Sequence, residues 1–244
     1  KRPQIGYWLN LPNTLTGEIA AGAGFDWLLI DGEHTSHSLQ SILYQLQALA
    51  AYPAVHPITR LPMGLGHVGE MLIKQYLDLG VQTLLVPMVD TAEQAAAIVR
   101  AARYPEADGS GGIRGVAGGG AAGWGRPPRH LPEGNDRPCV LVQAETRTAI
   151  DNLEAIAAVD GVDGVFIGPA DLSASMGHRG NPSHPEMLAL FESATRRIVA
   201  TGKAAGTLAV DEAVAHRYLE WGATFVAVGL DTVSLARETT RLAK

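Results

Sequence analysis

Asp26-Trp27-Leu28-Leu29-Ile30-Asp31 is a continuous apolar run closed by an acid. A run this short, bounded this way, predicts a buried strand. The period then changes. Over Ser38–Ala50, Leu39, Ile42, Leu43, Leu46 and Leu49 recur at helical spacing on one face. An apolar strand followed by an amphipathic helix is the repeating unit of a parallel sheet covered by helices.

The same unit repeats to either side. Upstream lie the strand Gln4–Leu9 and a helix around Thr14–Ala21. Downstream strands are His56–Leu61, Thr83–Val89, Val140–Ala144, Gly164–Ile167, Ala204–Ala209 and Thr224–Val228. Helices are expected over Val68–Leu79, Thr91–Arg103, Ala149–Ala158, Pro185–Ala200 and Asp211–Trp221, with a last one from Thr232. Thr91 caps the fourth helix, and Glu93 lies in its first turn. Two irregular stretches, Tyr104–Pro138 and Gly168–His184, follow strands four and six. Eight strand–helix units in 244 residues, without a break in composition, predict a single (β/α)8 TIM-barrel domain over residues 1–244. A doubly wound open sheet is the runner-up.

Composition bounds the function. Hydrophobic residues are 46% and charged residues 18%, which excludes a disordered chain. The 28 glycines and 14 prolines imply many turns. A formal net charge of -6 argues against nucleic acid or an anionic membrane as partner. The lone Cys139 excludes an internal disulfide and a thiolate metal cluster, and a reducing cytoplasm is the expected setting. No apolar run reaches the length of a membrane span, and Lys1 to Asn10 lack the apolar stretch of a signal peptide. The sequence begins at Lys1 rather than Met, so a few native residues are expected to precede it.

Barrel active sites form where the strands end. Asp31-Gly32-Glu33-His34 follows strand two, Arg60 ends strand three, and Gln143-Ala144-Glu145-Thr146-Arg147 closes strand five. Gly168-Pro169-Ala170-Asp171 follows strand six, and Gly229-Leu230-Asp231 follows strand eight. Any one acid here has a plain alternative as a helix cap. Glu145 and Asp171, Arg60 and His34 make a set that caps do not explain. Glu145 and Asp171 follow neighbouring strands, where two carboxylates repel unless they share a proton or a cation. An oxygen-only pair suits Mg²⁺ or Mn²⁺. A glycosidase-like acid/base pair is the alternative, disfavoured by an aromatic-poor mouth.

Other signals are negative. The four lysines, Lys1, Lys74, Lys203 and Lys244, avoid the ends of the strands, so Schiff-base chemistry is not expected. Gly118-Gly119-Gly120-Ala121-Ala122-Gly123 matches a dinucleotide pattern, but it lies in a long loop and Trp124-Gly125-Arg126-Pro127-Pro128 will not open a helix. No nucleotide is expected. His34, beside Glu33 at a strand mouth, is the histidine expected to act. His37 is read as a helix-start surface residue. His56, His67, His130, His178, His184 and His216 show no metal spacing, and Cys139 is read as a small buried residue.

Four segments carry a resemblance: Ala21–His34 (AGAGFDWLLIDGEH), Gln82–Val89 (QTLLVPMV), Val140–Thr146 (VLVQAET) and Gly161–Ser173 (GVDGVFIGPADLS). They resemble the class II, metal-dependent pyruvate aldolases, nearest to the 4-hydroxy-2-oxoheptanedioate aldolase group. Gly177–Pro185 and Tyr218–Asp231 extend the likeness over nearly the whole chain. The resemblance implies a cytoplasmic (β/α)8 barrel, usually a homohexamer, acting in aromatic compound catabolism. Its reaction is the cleavage of a 4-hydroxy-2-oxo acid to pyruvate and an aldehyde such as succinate semialdehyde, through a metal-stabilised enolate. By resemblance, Glu145 and Asp171 are the metal ligands, for Mg²⁺, Mn²⁺ or Co²⁺. Gln143 lies in the pyruvate site, Ala170 and Asp171 offer backbone amides to the carboxylate, and Gly168 and Pro169 lead into them. Arg60 stabilises the enolate, and His34 is the base. Asp78 raises its basicity, and Asp31 also orients it.

Two segments depart from the family pattern. Arg60 to Asp78 is a few residues longer, which bears on Asp78, and the loop from Tyr104 to Gly115 is expanded, which bears on aldehyde preference. Three alternatives share much of the pattern: an aldolase for 2-keto-3-deoxy sugar acids, an acyl-coenzyme A lyase on the related barrel, and a non-catalytic carboxylate-binding barrel.

Overall fold

The computed structural model describes residues 2–126 and 134–244. Eight strands close into a barrel in sequence order, every neighbouring pair parallel. They are β1 (Gln4–Leu9), β2 (Trp27–Asp31), β3 (His56–Arg60), β4 (Thr83–Val86), β5 (Cys139–Ala144), β6 (Gly164–Ile167), β7 (Ala204–Leu208) and β8 (Phe225–Leu230). The helices are α1 (Thr14–Ala21), α2 (Leu39–Leu49), α3 (Gly66–Leu79), α4 (Ala92–Ala102), α5 (Arg147–Asp151), α6 (Leu153–Ala157), α7 (Pro169–Ser175), α8 (Pro185–Ala200), α9 (Glu212–Glu220) and α10 (Asp231–Leu242). The predicted TIM barrel is the observed one.

Alternation along each strand divides the core in two. Residues such as Leu28, Ile30, Leu84, Val142, Val165 and Val226 face outward and pack under the helices. Their neighbours Leu29, Ile58, Leu85, Leu141, Phe166, Phe225 and Trp8 fill the barrel interior. The inward row runs on to the strand ends, where its last members are polar: Asp31 on β2, Arg60 on β3 and Gln143 on β5. Asp31 and Arg60 are register partners.

Strand β4 stops at Val86, shorter than the run to Val89 that the sequence predicts. Pro87 has no N–H for the ladder, and Met88 takes a left-handed φ of 58°. The helix expected over Ala149–Ala158 is divided at Asn152, whose side chain donates to Asp90 O at 2.9 Å. The stretch Gly168–His184, expected to be irregular, opens with α7, where Pro169 occupies the first turn. The glycine-rich segment forms a 3-10 turn over Gly120–Gly125, with Gly123 and Trp124 left-handed inside it. No strand leads directly into it, so it is not a dinucleotide-binding turn. Among the described residues, no helix is long and apolar enough to cross a membrane.

Candidate active site

A cavity of about 220 Å³ opens where the strands end. It gathers Asp31, His34, Arg60, Gln143, Gly168, Pro169, Ala170 and Asp171 around an aromatic floor of Trp8 and Phe166. Glu145 lies behind two of its lining residues, accepting a hydrogen bond from Gln143 and facing Gly168. Asp78 is elsewhere. It ends α3 and pairs with Arg114 at 3.0 Å, and Arg114 stacks over the Tyr104 ring.

Arg60 is the most constrained group. Its Nε donates to Asp31 Oδ1 at 2.9 Å and its Nη2 to Asp31 Oδ2 at 2.6 Å. Its Nη1 lies 2.7 Å from Glu33 Oε2. Trp8 lies under the guanidinium, 5.1 Å from its ring centre. Trp8 Nε1 and the Glu33 amide also donate to Asp31, at 3.2 and 2.9 Å. The four bonds that Asp31 receives come from Arg60, Trp8 and the Glu33 amide, and none comes from His34, which the resemblance would have it orient. Burial raises the Asp31 carboxyl, but the hydrogen bonds and charge of Arg60 outweigh it, so it stays below the usual carboxylate range. The pair is buried, charged and geometrically fixed before any substrate arrives.

His34 is exposed at the rim. Its Nε2 lies 3.8 Å from Glu33 Oε2, which makes Glu33 its carboxylate neighbour. Glu33 is a residue that the sequence reading quoted but gave no role. Its signal was available: Glu33 follows Asp31 by two residues at the end of a strand, and the bend there, closed by the Glu33 amide on Asp31 Oδ1, keeps both carboxylates at the mouth. Burial pushes the Glu33 carboxyl up to about 7, against the pull of Arg60, with Asp31 and Asp171 adding repulsion.

Glu145 is buried. Its Oε1 accepts from the Met88 amide at 2.8 Å, and its Oε2 from Gln143 Nε2. The left-handed turn at Met88 is what aims that amide, an uncommon conformation for a residue with a side chain. Gly168 is required opposite, because a Cβ there would collide with Glu145 Oε2 and Cβ. Burial raises the Glu145 carboxyl to about 7; Gln143 and Met88 oppose this, while Glu33 and Asp171 add to it.

These groups fit a hard divalent cation. Glu145 and Glu33 repel each other and Asp171 while lacking a shared positive charge beyond Arg60. The buried Gln143 Oε1 has no hydrogen-bond partner. Each Glu145 oxygen has one donor and keeps a further lone pair. An all-oxygen set of this kind suits Mg²⁺ or Mn²⁺ more than zinc. Of the other histidines, His56 bonds Thr83 at 2.7 Å at the opposite end of the barrel, and His130 lies outside the described residues. His37, expected on the surface, is half-buried beside the site, 3.2 Å from Ser41 Oγ. Cys139, read as buried, is half-buried at the start of β5.

Comparison with known proteins points the same way. A family model described as HpcH/HpaI aldolase/citrate lyase matches residues 4–237. The chain is 56% identical over 242 residues to a 4-hydroxy-2-oxovalerate aldolase of Rhodococcus jostii, covering 99% of this chain and 91% of that one. It is 59% identical over 244 residues to a hydroxypyruvate/pyruvate aldolase of Deinococcus radiodurans, covering 99% and 85%. A 4-hydroxy-2-oxo-heptane-1,7-dioate aldolase of Salmonella heidelberg is 55% identical over 244 residues, covering 99% and 89%. Among solved structures, an HpcH/HpaI aldolase/citrate lyase family protein of Burkholderia cenocepacia superposes with a TM-score of 0.93 at 37% identity, covering 99% and 93%.

Proposed function

This chain belongs to the HpcH/HpaI aldolase/citrate lyase family, and on that premise we propose that it is a divalent-metal-dependent aldolase for a 4-hydroxy-2-oxo acid. The substrate class is that of 4-hydroxy-2-oxoheptanedioate, and the products are pyruvate and an aldehyde such as succinate semialdehyde. The observation that carries this reading is the Arg60 fork, locked by Asp31 beside the carboxylates Glu145 and Asp171.

A 2-oxo acid presents a carboxylate next to a keto oxygen. The backbone amides of Ala170 and Asp171 hold the carboxylate, with Gly168 and Pro169 shaping the turn and Gln143 beside it. A divalent cation held by Glu145 and Asp171, Mg²⁺ or Mn²⁺ with Co²⁺ also admissible, supplies Lewis-acid polarisation of the keto group when bound. Arg60 faces the charge that grows on the keto oxygen as the bond breaks. Fixed charge contributes most at that point, because no reorganisation is needed in the transition state. His34 takes the proton of the C4 hydroxyl at Nε2, with Glu33 as its neighbouring carboxylate. The C3–C4 bond then breaks, C4 leaves as the aldehyde, and the electron pair passes onto the C3–C2–O unit. A proton from solvent at C3 completes pyruvate, and His34 returns the proton it took to solvent. Asp78, paired with Arg114 away from the cavity, has no part in this scheme within one chain.

A pyruvate-release assay over a panel of 4-hydroxy-2-oxo acids, with and without Mn²⁺, tests the reading. Metal-dependent release from 4-hydroxy-2-oxoheptanedioate is expected. Absence of release from every member of the panel overturns it. The Deinococcus relative supports hydroxypyruvate as a second donor at the same site, so aldol additions from pyruvate and hydroxypyruvate belong in the panel. A cytoplasmic homohexamer is the expected form, checked by light scattering.

A further inference from the structure

Outside the catalytic cavity, one further cluster has the chemistry of a metal site. We propose that His178, His184 and Glu186 form a second cation site, selective for ions that favour imidazole, such as Ni²⁺, Zn²⁺ or Cu²⁺. One ligand atom from each residue falls within 4.8 Å of the other two.

The loop between α7 and α8 builds this arrangement. Left-handed glycines, Gly177 and Gly180, turn the chain back on itself. The His178 amide donates to Ser173 O at 2.7 Å, at the end of α7. Asn181 N then donates to His178 O at 2.9 Å, and His184 N to Asn181 O at 3.2 Å. These turns bring the two imidazoles face to face, with ring centres 3.9 Å apart. His178 Nε2 lies 3.0 Å from Glu186 Oε2. His184 caps α8: its Nδ1 accepts from the Glu186 amide over a long 3.3 Å.

The donor set differs in kind from the catalytic one. Two imidazoles and one carboxylate suit borderline ions and place Mg²⁺ last; nickel, copper and zinc lead in such sites. Binding also has a structural cost. A neutral imidazole has one lone pair, and His184 spends it on the α8 cap. Coordination through either ring nitrogen must displace that bond, so the ion takes over the cap's role of tying the loop to α8. The bound ion then staples the end of α7, which begins with the Asp171 turn, to the start of α8.

The site is tested by calorimetric titration of untagged protein in which Glu145→Ala and Asp171→Ala have removed the oxygen-ligand site. One equivalent of Ni²⁺ per chain is expected to bind, while Mg²⁺ gives no heat. Adding His178→Ala is expected to weaken Ni²⁺ at least tenfold. Glu186 is exposed, so Glu186→Gln preserves the fold and is expected to weaken it as well. Absence of Ni²⁺ binding in the starting protein overturns the proposal. So does binding that neither His178→Ala nor Glu186→Gln alters. These readouts do not depend on aldolase activity, so the two proposals fail separately.

Discussion

The two ends of the barrel interior are built from the same strands and bury ionisable groups to opposite effect. Strand β5 begins with Cys139 and ends beside Glu145; β3 begins with His56 and ends with Arg60. At the N-terminal end, a larger cavity of about 560 Å³ is lined by Trp27, Phe225, Ile58 and Leu141 together with His56 and Cys139. Burial there disfavours charge on these two groups: it lowers His56 and pushes the Cys139 thiol up to about 12. At the C-terminal end, Arg60 and Asp31 are more deeply buried than either and yet remain an ion pair. The difference lies in partners. Asp31 receives four hydrogen bonds, whereas His56 has a threonine hydroxyl. Cavity size is therefore a poor guide to chemistry; the density of satisfied charge marks the working end.

The sharpest way to break this contrast is at the carboxylates. Glu145→Ala is expected to reduce metal-dependent cleavage to background, and calorimetry should show loss of Mn²⁺ binding. Retained activity in chelator-treated wild-type protein would remove the metal assignment altogether. Arg60→Ala strands Asp31 in the interior. Breaking a buried pair from one side costs about 3–5 kcal/mol, read by urea denaturation, and loss of an oxyanion partner costs ~10²–10³ in kcat. Exchange of the pyruvate methyl protons with solvent should slow as well. His34→Ala is expected to slow carbon–carbon cleavage by ~10²–10⁴ while sparing that exchange; equal loss of both would make His34 a positional residue.

A smaller effect follows from pH. In the metal-free fold Glu33 and Glu145 titrate near 7, above their ordinary value of 4.5. A carboxyl raised on folding favours the folded state most below its unfolded pKa, and that stability is lost as pH rises through the folded value. Metal-free protein should thus lose stability between about pH 4.5 and 7. Mn²⁺ replaces the lost protons, so it should raise Tm more at pH 8 than at pH 5.5. Equal shifts at both pH values would contradict the shared-charge account. The least effect belongs to the other end. Cys139→Ala should leave kcat unchanged, and the wild-type thiol should resist alkylation at pH 8 until the chain is unfolded. Rapid alkylation of the native protein would show that burial does not hold the thiol in its neutral form.

The fold was legible because period alone separates buried strands from amphipathic helices, and eight repeats admit few closures. The site was legible to the extent that strand ends converge: Asp31, Arg60, Gln143 and Asp171 line one cavity, as expected. What the sequence hid is pairing. Nothing local says that Asp31 serves Arg60 rather than His34, since both lie within reach of the same turn. Helix α7 was hidden because its seven residues follow a glycine and begin with a proline, though proline in a first turn is a helix-start signal. His178 and His184 show no metal spacing in the sequence because their separation matches no regular element, and two glycine turns bring them together.

Closure of the barrel has a consequence for how the chain is made. Strand β1 bonds to β8, and the Asp231 carboxylate accepts from the Asn10 and Leu11 amides at 2.9 and 3.0 Å. Strand β1 leaves the ribosome before the other strands of the barrel and thus waits for the last of them, β8, before one of its edges is covered. Contacts so distant in sequence form slowly. During synthesis, the exposed edge of β1 is the place where a nascent chain is most open to pairing with the wrong neighbour, and where a chaperone has the most to protect.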